Sequence, residues 1–261
     1  SRSFQALVDL KWLEDQDFPP DHRFDWYPSG GDRSGATPVI TPERVDAKSW
    51  PYIAFLRMHF PNQAAGVDSV GTGTLIAPRL ILTAGHNIFD YVRGGFAQSV
   101  EATLGAQPRV RVQAQTMRTT RQWVEQDSRI QLGTSAFDFG VVVLREPLDS
   151  NIRPLRAETT DGKVLREMLL NVAGYPASDL GSLYGARSKP DSINDTRIFY
   201  PIETYPGMSG GPVFDYDAAS GVRTIRGIHT AWPPGLLPTA LRITENVLSL
   251  IMAWQGEFRP V

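Results

Sequence analysis

The sequence predicts an all-β protein, a sandwich or barrel, finished by one C-terminal α-helix. Two observations carry that expectation. From about residue 50 onward, short apolar runs are split by turn residues at fairly even spacing. Near the C-terminus the apolar period changes to that of a helix.

The runs place strands over residues 52–58, 70–76, 80–84, 109–116, 140–144, 168–174, 197–202, 212–214, 223–228 and 239–243. Val110, Val112 and Ala114 alternate with Arg111 and Gln113, the pattern of a half-buried strand. In the helix, Thr244 can cap the first turn and Glu245 sits in it. Val247, Leu248, Leu250, Ile251 and Trp254 supply the apolar face. Residues 15–50 are rich in Pro, Asp, Gly and Ser and read as an irregular arm. Linker-like residues at 149–161 divide the strand-rich region into two halves, and no internal repeat is visible.

Composition narrows the function classes. At 261 residues the chain can bury a sizeable core, and 41% apolar with 21% charged residues suits a globular protein. A formal net charge of -2 gives no electrostatic case for nucleic acid or an anionic membrane. The pairs Arg109, Arg111 and Arg118, Arg121 read as solvated strand or loop positions. No apolar run approaches the ~18 residues of a membrane span. There is no cysteine, which removes disulfides, thiolate chemistry and cysteine-ligated zinc. The four histidines, His22, His59, His86 and His229, are scattered, and no metal-ligand spacing or phosphate-cradling glycine loop is present. No metal or cofactor is expected.

Three segments carry chemistry: Thr83-Ala84-Gly85-His86 after an apolar run, Asp138-Phe139-Gly140-Val141-Val142, and Gly207-Met208-Ser209-Gly210-Gly211-Pro212. A serine hydroxyl is a poor nucleophile until a histidine within reach takes its proton. A buried carboxylate can hold that imidazole's tautomer and stabilise the imidazolium. Glycines around the serine let the chain turn tightly, so that backbone N–H groups, naturally those of Gly207 and Ser209, face a developing oxyanion. Each segment alone reads as ordinary structure; together, in one order, they favour a catalytic Ser209, His86 and Asp138.

These segments resemble the catalytic motifs of the trypsin-like peptidases, in the same His, Asp, Ser order. The resemblance covers roughly residues 50–255. It implies a chymotrypsin-like fold of two antiparallel six-stranded β-barrels with the active site between them, plus a C-terminal helix. On that basis the chain divides into an arm at 1–49, a first barrel at 50–148 holding His86 and Asp138, and a second at 149–261 holding Ser209 and the helix. The resemblance further implies protein or peptide substrates and a secreted enzyme, with an intracellular bacterial role left open.

Gly174-Tyr175-Pro176, Gly227-Ile228-His229 and residues 243–247 are similar to the glutamyl endopeptidase (V8-like) group. There a threonine five residues before the nucleophile and the histidine of Gly-Ile-His bind a substrate glutamate. Thr204 and His229 take those positions here, with Thr230 beside them, and both can donate hydrogen bonds to a carboxylate. Three residues depart from the pattern. Glu203 stands where members cutting after Arg or Lys carry an acid, and facing the pocket it would favour a cation. Trp232 stands where a glycine is frequent and would narrow the pocket. Met208 replaces the aspartate that pairs with a new N-terminus in the animal digestive enzymes.

Two rivals remain. Gly207-Met208-Ser209-Gly210-Gly211 satisfies the α/β-hydrolase elbow, but that fold needs its histidine well after the serine, and His229 follows by only twenty residues. A protease fold kept as a binding module usually loses a triad member, whereas all three are present here.

Overall fold

A computed structural model describes residues 39–105, 109–125, 136–148, 151–231 and 237–259. Its first half closes on itself. Strands β1 (Ile53–His59), β2 (Ser69–Ala77), β3 (Leu80–Thr83), β4 (Ser99–Leu104), β5 (Val110–Thr119) and β6 (Gly140–Leu144) form a closed antiparallel barrel in the order β1-β2-β3-β6-β5-β4. Its interior is filled by side chains such as Leu56, Leu75, Ile81, Ala102 and Val142, each 2% exposed or less.

The second half repeats the order without closing. Strands β7 (Leu170–Gly174), β8 (Tyr184–Ser188), β9 (Arg197–Phe199), β10 (Pro212–Tyr216), β11 (Arg223–Ala231) and β12 (Thr239–Arg242) pair as β8-β7-β10-β11-β12-β9. That is the first barrel's cyclic order opened between β8 and β9. Each free edge is partly covered by a two-residue strand, Glu43–Arg44 on β8 and Ser192–Ile193 on β9, which lowers the number of unpaired backbone groups. The result is one closed barrel and a curled half-barrel sheet, the mostly-β chymotrypsin-like arrangement that was expected. A repeat of topology is thus present where no repeat of sequence is visible.

The predicted strands correspond to observed ones with ends shifted by up to three residues, a scatter expected of strand termini. β4 and β8 were not predicted. In β4, Val100, Ala102 and Leu104 are buried and Ser99, Glu101 and Thr103 are not, so the alternation is there but small Ala102 dilutes it. β8 reads Tyr-Gly-Ala-Arg-Ser, has no apolar run, and is held by pairing with β7. Two short helices, α1 (Arg121–Glu125) and α2 (Gly162–Glu167), were also unpredicted. Of the irregular arm, residues 1–38 lie outside the described residues. Its described end follows the second sheet, through Ile40 N–H to the Pro201 carbonyl at 2.7 Å and Val45 N–H to the Leu183 carbonyl at 2.8 Å.

Helix α3 (Glu245–Glu257) begins as predicted. Thr244 is its N-cap, with Oγ1 accepting from Val247 N–H, and Val247, Leu250, Ile251 and Trp254 are buried. Leu248 is partly buried against the same core. The helix follows the second sheet in the chain, yet it straps back onto the first barrel. The Trp254 ring lies 5.8 Å from that of Phe139. Gln255 Nε2 donates to the Ile76 carbonyl at 2.8 Å. Arg118 reaches Glu257 Oε1 at 2.9 Å while its guanidinium lies over Phe258.

Trp254→Ala should therefore destabilise the fold by about 3–5 kcal/mol, the usual loss for a large buried aromatic. Urea unfolding measures it; a loss below about 1 kcal/mol would mean that the helix is not a structural strap.

Candidate active site

Register brings His86 and Asp138 together. β3 pairs with β6 so that Thr83 faces Gly140. Strand β3 ends there and β6 begins there, so His86, three residues on, meets Asp138, two residues back. Asp138 is fully buried. Its carboxylate accepts from the backbone N–H of His86 at 2.9 Å and lies 2.9 Å from His86 Nδ1 through Oδ2. An unsolvated carboxylate needs such donors to remain an anion, and the arrangement aims the opposite ring nitrogen away from it. Trp123, whose Nε1–H donates to the Phe89 carbonyl, flanks the imidazole with ring centres 6.4 Å apart.

Ser209 stands on the turn between β9 and β10. Gly207 has φ +96° and Gly210 φ +88°, the left-handed region that favours glycine. A Cβ on Gly207 would come within 2.6 Å of the Tyr175 carbonyl oxygen, and one on Gly210 within 2.1 Å of the Thr72 carbonyl oxygen. Met208, fully buried, donates its N–H to the Tyr205 carbonyl, and Gly211 N–H donates to the Met208 carbonyl. Among the described residues the N–H groups of Gly207 and Ser209 have no backbone acceptor, as an oxyanion site would need.

Sequence reasoning missed the residues that fasten this turn to the first barrel. The Ser209 carbonyl accepts from Thr72 N–H and from Asn87 Nδ2, both at 2.9 Å. Thr72 Oγ1 donates to the Gly207 carbonyl at 2.8 Å and accepts from Tyr175 N–H at 2.9 Å. Thr83 Oγ1 donates to the Thr72 carbonyl and accepts from Asn87 Nδ2. Asn87 directly follows His86, which was a usable signal, whereas Thr72 lies in the middle of a strand run and gives none. The Ser209 hydroxyl itself donates to the Thr230 carbonyl at 3.1 Å, and no hydrogen bond joins it to His86 among the described residues.

The predicted pocket residues have different surroundings. His229 is 2% exposed, and its backbone bonds Gly210 and Gly211, fixing β11 against the Ser209 turn. Its Nδ1 lies 2.6 Å from the Tyr200 hydroxyl. Burial pushes the imidazole down to about 3, outweighing the Thr239 carbonyl, which favours the charged form. Thr204 is 5% exposed. Glu203 is half-buried and turned toward Tyr205, whose hydroxyl donates to it at 2.9 Å, while its N–H bonds the Ile40 carbonyl. Thr230 Oγ1 accepts from Arg197 Nη1 at 2.7 Å. Arg197, unforeseen from sequence, is a cation 1% exposed. Burial lowers it to about 10 while the Asp138 carboxylate opposes that shift, so it stays charged at neutral pH. Trp232 lies outside the described residues. No group of three or more His, Asp or Glu suited to a metal occurs among the described residues.

Comparison with known proteins bears on the family and the fold. A family model described as a trypsin-like peptidase domain matches residues 71–220. The chain is 26% identical over 221 residues to a glutamyl endopeptidase of Bacillus licheniformis, covering 81% of this chain and 66% of that protein. It is 23% identical over 229 residues to an extracellular metalloprotease of Bacillus subtilis, covering 84% and 70%. A solved structure of a Glu endopeptidase in complex with MPD superposes with a TM-score of 0.67 at 18% identity, over 85% of this chain and 98% of that one, a likeness of fold. With the family model covering more than half of its length, the chain belongs to the trypsin-like peptidase family.

Proposed function

We propose that this chain is a serine endopeptidase that works through an acyl-enzyme, with Ser209 as nucleophile, His86 as proton shuttle and Asp138 as its anchor. The observation that carries the reading is the buried Asp138 carboxylate gripping both the backbone and Nδ1 of His86, one residue before the Asn87 that holds Ser209. Nδ1 bonded to an anion is the donor tautomer, which leaves Nε2 as the base. A turn of the Ser209 hydroxyl from the Thr230 carbonyl toward that nitrogen completes the relay, since such bonds often form only with substrate present. The Gly207 and Ser209 amides stabilise the oxyanion. The intact constellation disfavours a binding-only module.

For the residue before the scissile bond, an acidic side chain, Glu and then Asp, fits best. Thr204 and His229 are residue types that can donate to a carboxylate, and burial keeps the His229 imidazole neutral. Cleavage after Arg or Lys would need the Glu203 charge, which is engaged by Tyr205 instead. The extracellular designation of the Bacillus subtilis relative supports secretion, and peptide or protein chains are the substrates.

Ser209→Ala should lower kcat by about 10,000-fold or more with an unchanged fold; turnover within tenfold of the parent would remove Ser209 from the mechanism. In a peptide library, cuts should fall after Glu and Asp, and a set of cuts after Arg and Lys would transfer the pocket to Glu203. The state of His229 has its own test. Free imidazole titrates at 6.5 and the folded site at about 3, so the unfolded chain binds a proton that the folded chain refuses between those values. Stability should fall as pH drops from 6.5 toward 3, and His229→Gln should flatten that part of the curve. An equal slope in the variant would show that His229 is not the group held neutral.

A further inference from the structure

A hollow of about 170 Å³ lies on the outside of the first barrel, where β1, β4 and β5 meet the loop after β7. Strand register explains its chemistry. Phe55, Thr103 and Arg111 face one another across the three strands, and Arg57, Glu101 and Gln113 form the next row; alternate residues share a face, so both rows point outward. Arg109 stands at the entrance to β5. Arg57, Arg109 and Arg111 are all exposed and line the hollow with one carboxylate, Glu101. The local balance is thus three cations to one anion, on a chain whose total is -2.

The cations are loosely engaged. Arg57 is 3.9 Å from Asp68, and Arg109 Nη2 donates to the Gly181 carbonyl at 3.1 Å. Glu101 is held by Gln113 Nε2 at 2.9 Å. Phe55 and Tyr175, both buried, give the hollow an apolar floor, and exposed Leu180 stands at its rim. Tyr175 ties the hollow to the site. Its ring meets Phe55 edge-on at 5.5 Å, and its backbone carbonyl backs the Gly207 turn.

We propose that this basic hollow is an exosite for an acidic stretch of a polypeptide substrate, engaging sequence away from the scissile bond. The inference rests on the peptidase reading above. Carboxylates meet the arginine rim and an apolar side chain among them meets the floor. Glu101 and the small, one-sided rim disfavour a nucleic-acid backbone, which needs a continuous row of cations. Exposed charges of this kind steer and select partners and weaken with salt.

The test uses the Ser209→Ala chain and a fluorescent twelve-residue peptide of Asp and Glu with one central Leu, followed by anisotropy at low salt. The Arg109→Glu, Arg111→Glu double variant should bind at least tenfold more weakly, and 0.5 M NaCl should erase the difference. Arg111→Gln, which removes one exposed charge, should weaken binding about threefold. Equal binding by parent and double variant, or binding of an oligonucleotide in preference to the peptide, would overturn the exosite. In the Ser209-containing chain, a tripeptide substrate too short to reach the hollow should be cut equally with and without the double substitution. If the parent cuts no tripeptide, the peptidase reading fails; if it does but the binding arm shows no difference, the exosite alone fails.

Discussion

The arrangement depends on one grip, the hold of the first barrel on the carbonyl of Ser209. Thr72 and Asn87 supply both donors to that oxygen, and Thr72 also bonds the Gly207 carbonyl and the Tyr175 amide. Four hydrogen bonds join four stretches of chain inside the seam between the two halves, where any polar group left unbonded would lose on the order of 1–3 kcal/mol. The serine turn belongs to one half and the histidine to the other, so their spacing is only as fixed as this joint. Gly210 fits because nothing larger can sit against the Thr72 carbonyl.

The strap supplied by α3 acts in the same direction. Trp254 packs on Phe139, the residue next to Asp138. Helix α3 thereby presses on the residue that follows the histidine's anchor. Charge is distributed accordingly. Asp138 is buried with donors from His86, Arg197 is a buried cation within its field, and His229 is kept neutral by burial. Low polarity around these groups strengthens each interaction and makes each position sensitive to exchange.

Much of this was legible in the sequence, and the reasons are physical. His86, Asp138 and Ser209 announce themselves because their neighbours are constrained: glycines where the chain must turn, apolar runs where strands must be buried. The strands of the closed barrel show through period two, except β4, whose inward positions include a small alanine. Thr72, Arg197 and Tyr200 were not legible. Each lies in or beside a strand that reads as ordinary, and its role comes only from what the fold brings opposite it. The opposing readings of Thr204 and Glu203, one position apart, could not be separated by spacing. Successive residues point to different sides, and that Glu203 is met by the Tyr205 hydroxyl is a matter of the fold rather than of spacing.

The central claim is that Ser209 is made reactive by a histidine held across this seam. The most direct measurement is labelling of the native chain with a fluorophosphonate, followed by mass spectrometry of the modified peptide. The account predicts one adduct, on Ser209, at a rate that collapses in His86→Ala. An adduct spread over several serines, or one on Ser209 at an undiminished rate without His86, would contradict it.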